Sequence, residues 1–231
     1  MIKLRSKVPG AGDFARRKLN ALRSDTSAVA MVEFAFTAPL VLALGMLGTE
    51  TSYYVISHMK VSQIAMQVAD SASRVGEQDV LVARKVYEGD INDVFIGAEK
   101  LGANLGIMAN GRVILSSLQQ NADGGQWIAW QRCRGAKVFN STYGVEGDGA
   151  SGTTLAGMGE AGKEITASAG TAVMFAEVSY TYEALTPFDF LDNQEITYTA
   201  AFNIRDSRDL TQLYQTDPAS SVASCSTYSA T

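Results

Sequence analysis

The sequence predicts an α+β protein in which a long N-terminal membrane-spanning helix is followed by a small domain of helices packed on an antiparallel sheet. Three observations lead to this prediction. A basic N-terminal stretch precedes an almost uncharged apolar run at residues 28–48. Apolar residues then recur every three or four positions as far as residue 75, which is typical of an amphipathic helix. Four later segments have strand character and are separated by turn residues.

Composition limits the classes of protein to which the chain can belong. Of its 231 residues, 46% are hydrophobic and 19% are charged, so the chain can bury a core and is not disordered as a whole. One histidine and two cysteines exclude a zinc-finger array, a disulfide-dense scaffold and most histidine-based catalytic sites. The net charge of −5 argues against nucleic acid as a partner.

Charge divides the chain into a basic tail, an apolar segment and an acidic body. Residues 28–48 carry one charge, at Glu33, and the body from residue 49 contains 12 bases and 21 acids. Because short basic flanks stay on the cytoplasmic side, we expect the N-terminus in the cytoplasm and the body in the periplasm of a bacterium. Residues 1–27 contain two acids and seven bases, which are Lys3, Arg5, Lys7, Arg16, Arg17, Lys18 and Arg23.

Three interpretations of residues 28–48 are open. As a helix the segment would extend roughly 30 Å, enough to cross the hydrocarbon core of a bilayer. A cleavable secretory signal is disfavoured because no A-x-A pattern follows the segment. A plain anchor must carry the carboxylate of Glu33, which costs about 2.5–3.5 kcal/mol near a helix centre and less near an end. In the third interpretation Glu33 has a cationic partner within the membrane.

The residues around Glu33 carry a recognisable pattern. Small and apolar residues from Thr26, then Glu33-Phe34-Ala35, then Pro39 resemble the N-terminal segment of TadE/TadG-like proteins. Those are minor pilins, or pseudopilins, of the tight-adherence (Flp-type) pilus machinery. Weaker similarities to that family lie at residues 126–133 and at residues 195–205 together with Arg208.

The resemblance implies a processing site and a role for Glu33. A prepilin peptidase would cut between Ala28 and Val29, which makes Glu33 the fifth residue of the mature chain. Glu33 would then neutralise the new amine of Val29 on a neighbouring subunit, since paired charges offset each other's desolvation. The family favours glycine before the cut, whereas this chain has Ala28.

The resemblance also implies a structural or assembly role rather than an enzyme, with no cofactor. Its expected partners are inner-membrane lipid, other pilin-like subunits, pilus assembly proteins and a prepilin peptidase. The expected location is the bacterial inner membrane, or a surface pilus or its tip. A pseudopilin of a secretion system is a close variant. The alternative is a single-pass, membrane-anchored, extracytoplasmic binding module. An anchored enzyme is least favoured, because no catalytic constellation is apparent.

The N-terminal helix is expected to have two halves. Residues 28–52 form the transmembrane half and residues 53–76 the amphipathic half, with Pro39 producing a kink. Thr26 is the expected N-cap and Gly76 the expected stop. A coiled-coil stalk after an anchor is the alternative for the second half. The apolar positions of that half are Val61, Ile64, Ala65, Val68, Ala72 and Val75.

Residues 77–210 are predicted to form the periplasmic α+β domain. A helix is expected over residues 80–109, and a short helix or turn over residues 187–191. Strands are expected at residues 111–118, 126–133, 171–183 and 195–205. Strand 171–183 alternates, which predicts one buried face made of Met174, Ala176, Val178, Tyr180 and Tyr182. The glycine-rich residues 144–170 are expected to be a long surface loop, and residues 211–231 a loosely held Ser/Thr-rich tail.

The domain offers a few candidate sites. Cys133 and Cys225 both fall on the expected periplasmic side, where disulfides persist. A disulfide between them would stabilise the folded domain by on the order of 4 kcal/mol. Two unpaired thiols are the alternative. Residues 157–163 fit the start of a P-loop, but Glu164 replaces the required Ser or Thr. His58 is expected on the surface. Trp127 and Trp130 lie three apart and are expected on opposite faces of their strand, one buried and one half-exposed.

Overall fold

A computed structural model describes residues 11–23, 27–76, 83–187 and 189–230. The expected N-cap Thr26, the expected helix start at Val80 and the aromatic Phe188 lie outside these residues. The chain divides into two compact units, Met1–Thr49 and Glu50–Thr231. Helix α2 (Ser27–Arg74) contributes residues to both units.

The first unit is helical throughout its described residues. Helix α1 (Ala11–Arg23) lies within the basic tail and was not predicted from the sequence. It carries Arg16, Arg17, Lys18 and Arg23, whereas Lys3, Arg5 and Lys7 lie outside the described residues. Helix α2 begins at Ser27 and continues through Pro39.

The second unit contains a four-stranded antiparallel sheet, which confirms the predicted α+β class. The strands are β1 (Gly111–Gln120), β2 (Gln126–Arg134), β3 (Ala172–Thr181) and β4 (Glu195–Asn203). Their order across the sheet is β2-β1-β3-β4, and β1 and β2 form the predicted hairpin. All three pairings are antiparallel.

One face of the sheet packs against helices. The predicted apolar positions of α2 from Val61 to Ala72 are buried here, together with Ile91 and Phe95 of helix α3 (Glu88–Leu101). The predicted buried face of the third strand, from Met174 to Tyr182, belongs to the same core. The apolar periodicity of both elements therefore identified the interface between helix and sheet.

The opposite face of the sheet is buried as well, contrary to expectation. Val173 and Phe175 join a second apolar core that includes Met158 and Ala167 of the glycine-rich segment 144–170. Most of that segment is exposed and without helix or strand, as expected for a long surface loop, but Met158 and Ala167 cover this face of the sheet. Gly149 shows why glycine is needed: its φ is +74°, and a Cβ there would lie 2.2 Å from a backbone carbonyl oxygen.

The helix expected over residues 80–109 is shorter and broken. Before it, Arg84 and Tyr87 form single bridges with Arg208 and Tyr214. The backbone N–H and C=O of Arg84 bond to Ser207 and Asp209, so they are not available to a helix, and Tyr87 is the N-cap of α3. After α3, a 3₁₀ turn (Ala103–Leu105) and the short helix α4 (Ile107–Asn110) follow. Gly106, with φ of +61°, separates the last two elements, because its backbone cannot continue a helix. A second 3₁₀ turn (Asp189–Leu191) precedes β4.

Two further expectations about the strands and tail are wrong. A bulge between Ser117 and Leu118 shifts the register against β2, so Trp127 and Trp130 lie on the same face rather than on opposite faces. The expected difference in burial is confirmed, because Trp130 is buried and Trp127 is half-buried. The tail is not loosely held, because Cys133 N donates to Ala223 O at 2.8 Å and other tail residues bond to the domain as well.

Candidate functional site

The apolar half of α2 exposes its side chains on every side. Val29, Phe34 and Phe36 are 58%, 71% and 79% exposed, and similar exposure continues to Leu44. Among the described residues, this is the one helix long and apolar enough to cross a membrane, and none of its apolar window is buried. Exposed apolar surface on this scale is unfavourable in water and requires a lipid or protein environment.

Glu33 is the single charged residue of this apolar surface. It is exposed and lies one helical turn after Val29, on the same side of the helix. Its backbone carbonyl oxygen accepts a 2.9 Å hydrogen bond from Thr37 Oγ1. The side chain of Glu33 has no ion pair with any described residue. A carboxylate placed in this way favours a cation from outside the unit once water is removed.

Ala28, Val29 and Pro39 share this helix with Glu33. Ala28 and Val29 lie in the first turn of α2, next to its described start at Ser27. Pro39 lies inside the helix, where it removes one backbone hydrogen bond. Cleavage after Ala28 and a kink at Pro39 remain predictions.

A buried carboxylate that the sequence analysis did not single out marks the start of the second unit. Glu50 is fully buried, although it lies within the range 28–52 assigned to the transmembrane half. It accepts hydrogen bonds from Tyr182 Oη at 2.6 Å and from the backbone N–H groups of Leu185 and Thr186 at 3.1 and 2.9 Å. Burial, followed by the hydrogen bond to Glu50, raises the pKa of Tyr182 well above its usual range. In the sequence, Glu50 could have been noticed as a second acid, after Glu33, that directly follows the apolar run.

His58 is partly buried rather than on the surface. Its ring lies 4.6 Å from that of Tyr54, centroid to centroid, and its Nδ1 is 3.2 Å from Tyr198 Oη. Burial lowers the pKa of His58. Tyr54, His58 and Tyr198 thus pack α2 against β4. His58 has aromatic neighbours and does not form a nucleophile–base pair with them.

The C-terminal end of α2 is held by two arginines from the segment after β4. Arg208 is buried and donates to the carbonyl oxygens of Ala72, Ser73 and Val75, each at 2.9 Å. Arg205 pairs with Asp70 at 3.0 Å. Cations at a helix C-terminus satisfy carbonyl groups that lack helical partners. Burial lowers the pKa of Arg208 to about 10.

Cys133 and Cys225 are joined in a disulfide beside a cavity with a volume of about 550 Å³. Arg112, 1% exposed, is one of the residues that line this cavity, and its guanidinium donates to the carbonyl oxygens of Gly135, Thr227 and Cys225. Its Nε has no partner among the described residues. Burial lowers the pKa of Arg112.

The remaining candidate from the sequence is not a nucleotide site. Met158 and Ile165 form a single antiparallel bridge, and no helix follows the glycines. Lys163 is 81% exposed and pairs with Glu160 at 3.3 Å. A P-loop requires a helix N-terminus directly after the loop, which is absent from this described segment. The described residues also contain no group of three potential metal ligands.

Comparison with known proteins supports the resemblance seen in the sequence. The family model described as TadE-like protein matches residues 28–70. Neither a curated protein nor a solved structure matches the chain. The matched range contains Glu33, Pro39 and most of α2, including the packed positions from Val61 to Ala69. Residues 28–70 therefore form a TadE-like domain.

Proposed function

We propose that this protein is a pilin-like structural or assembly component of a tight-adherence type pilus. The observation that carries the proposal is the exposed apolar surface of α2, with the single carboxylate of Glu33, inside a TadE-like segment. Residues 28–48 span the inner membrane, the N-terminus is cytoplasmic and the domain from Glu50 onward is periplasmic. The disulfide between Cys133 and Cys225 is compatible with that oxidising compartment.

Assembly in this proposal is an exchange of lipid contacts for helix contacts. Prepilin peptidase cleaves after Ala28, and the new amine of Val29 becomes available to a neighbouring subunit. Glu33 of one subunit pairs with that amine, which fixes the register between adjacent helices. An unpaired carboxylate costs about 2.5–3.5 kcal/mol near the centre of the apolar phase and less near its edge, where Glu33 lies, so the paired register is preferred.

Substitutions of Glu33 in the full-length protein test this proposal in its own host. Glu33→Ala and Glu33→Gln should still insert but should reduce cross-linking to other pilin-like subunits at least tenfold, because the carboxylate is lost. Glu33→Asp is the matched control, since it keeps the charge and should retain most of the cross-linking. Wild-type levels of cross-linking in Glu33→Ala would overturn the proposal.

The cavity beside the disulfide favours a second candidate, a membrane-anchored extracytoplasmic binding module. It is lined by Phe139, Asn140 and Arg112, and Arg112 has no ion pair with any described residue. The positive charge of Arg112 would attract a small anionic ligand into this cavity. In this case Glu33→Ala leaves function intact, and soluble anions such as galacturonate raise the unfolding temperature while neutral galactose does not.

A further inference from the structure

Helix α1 has an apolar arc and a basic arc. At about 100° per residue, Phe14, Leu22 and Leu19 fall within an arc of about 140°. They are 63%, 73% and 66% exposed. The described residues therefore leave these three apolar side chains largely uncovered.

The other side of α1 is positively charged. Arg16, Arg17 and Arg23 fall on the opposite arc and are exposed. Lys18 lies on the apolar side, with its Nζ 5.2 Å from the centroid of the Phe14 ring. A lysine so placed can extend its stem along an apolar surface and its ammonium to a polar headgroup. The thirteen residues of α1 contain these four bases and one acid, Asp13.

The position of α1 in the chain places it close to the membrane surface. It ends at Arg23, and the apolar surface of α2 begins six residues later, at Val29. A short basic amphipathic helix directly before a membrane-spanning segment is within reach of the bilayer surface on the same side. Four bases complement the anionic lipids of that surface, and an apolar arc of this width fits the headgroup boundary.

We propose that α1 lies in the cytoplasmic membrane interface and binds anionic phospholipid headgroups. Phe14, Leu19 and Leu22 enter the acyl boundary, and the arginines contact lipid phosphates. The net three positive charges of α1 give about a hundredfold preference for an anionic over a zwitterionic surface. The helix thereby holds the Ala28–Val29 bond at the membrane surface until it is cut. This inference rests on the proposed membrane insertion of α2, but not on the pairing of Glu33.

Amide hydrogen exchange of the full-length protein in lipid nanodiscs tests the inference. Phosphatidylcholine nanodiscs are compared with nanodiscs that contain phosphatidylglycerol. Amides of α1 should exchange at least tenfold more slowly with phosphatidylglycerol, and salt should weaken the difference because it screens the charges. The double variant Leu19→Gln, Leu22→Gln should lose this protection although glutamine is a good helix former. Replacing Arg16 and Arg17 by lysine is the matched control and should keep it.

Two results would overturn the inference. Equal exchange of α1 in both lipids would exclude recognition of anionic headgroups. Unchanged protection in the glutamine double variant would exclude burial of the apolar arc. Amides of residues 29–48 report separately on the proposed span: if they are protected while α1 is not, the inference fails and the proposed function stands.

Discussion

Glu50 should be a principal stabilising residue of the second unit, although it directly follows an apolar membrane-type sequence. Its carboxylate is fully buried and is held by Tyr182 Oη at 2.6 Å and by two backbone N–H groups. Replacing Glu50 by alanine removes the acceptor for all three donors at once. The stability of the unit should fall because buried donors without acceptors are costly.

The expected loss follows from the number of donors. Each buried donor left without a partner costs about 1–3 kcal/mol, and water that enters the vacated space offsets part of this. We therefore expect Glu50→Ala to lower the free energy of unfolding by about 3 kcal/mol. At about 2–4 °C per kcal/mol for a domain of this size, the unfolding midpoint should fall by about 6–12 °C. Tyr182→Phe removes one charge-assisted hydrogen bond and should lose about 1.5–3 kcal/mol.

Thermal unfolding of the full-length protein in detergent micelles, followed by near-ultraviolet circular dichroism, measures these changes. Glu183→Gln is the matched control, because it also removes a carboxylate next to Tyr182 but from an exposed position. Its midpoint should stay within about 1 °C of wild type. If Glu50→Ala were as stable as the control, the hydrogen bonds to Glu50 would not stabilise the unit and the reasoning would be refuted.

Three further predictions concern the same unit. Cys225→Ser should lower the free energy of unfolding by about 4 kcal/mol, and reduced wild type should match it in denaturant titrations; an unchanged midpoint would exclude stabilisation by the disulfide. Asp209, whose pKa the hydroxyl of Thr211 and further hydrogen bonds lower to about 2, should contribute stability above about pH 4 that is lost as the pH falls toward 2. Asp209→Asn should flatten this part of the stability–pH curve, and an unaltered curve would contradict the assignment. Gly149→Ala should destabilise by more than about 2 kcal/mol in the same titrations, whereas Gly147→Ala, which has a positive φ but open space, should cost about 1 kcal/mol; equal losses would show that crowding at Gly149 is unimportant.

Periodicity in the sequence was sufficient to predict the elements whose burial repeats regularly. The spacing from Val61 to Ala72 and the alternation from Met174 to Tyr182 both predicted the helix-facing core of the sheet. The apolar run with Glu33 likewise indicated a helix long and apolar enough to cross a membrane and the TadE-like segment. These features depend on local order along the chain, so a single sequence contains them.

Features made by distant segments could not be predicted in the same way. Glu177 lies on the face of β3 opposite the predicted buried one, yet it is buried and accepts hydrogen bonds from Ser141 and Thr142, which follow β2. Glu50 finds its donors more than 130 residues later in the chain. The bulge that turns Trp127 and Trp130 to one face depends on pairing between two strands. In each case the deciding contact is tertiary, and no local pattern records it.

The N-terminal sequence of the protein isolated from its host's membranes tests the central proposal most directly. It should be determined in strains with and without the prepilin peptidase. The proposal predicts a mature chain that starts at Val29 when the peptidase is present and an intact basic tail when it is absent. An intact tail in both strains would contradict processing and leave a permanent anchor. A start beyond residue 48 would mean that the apolar segment is an ordinary secretory signal and would contradict the proposal as a whole.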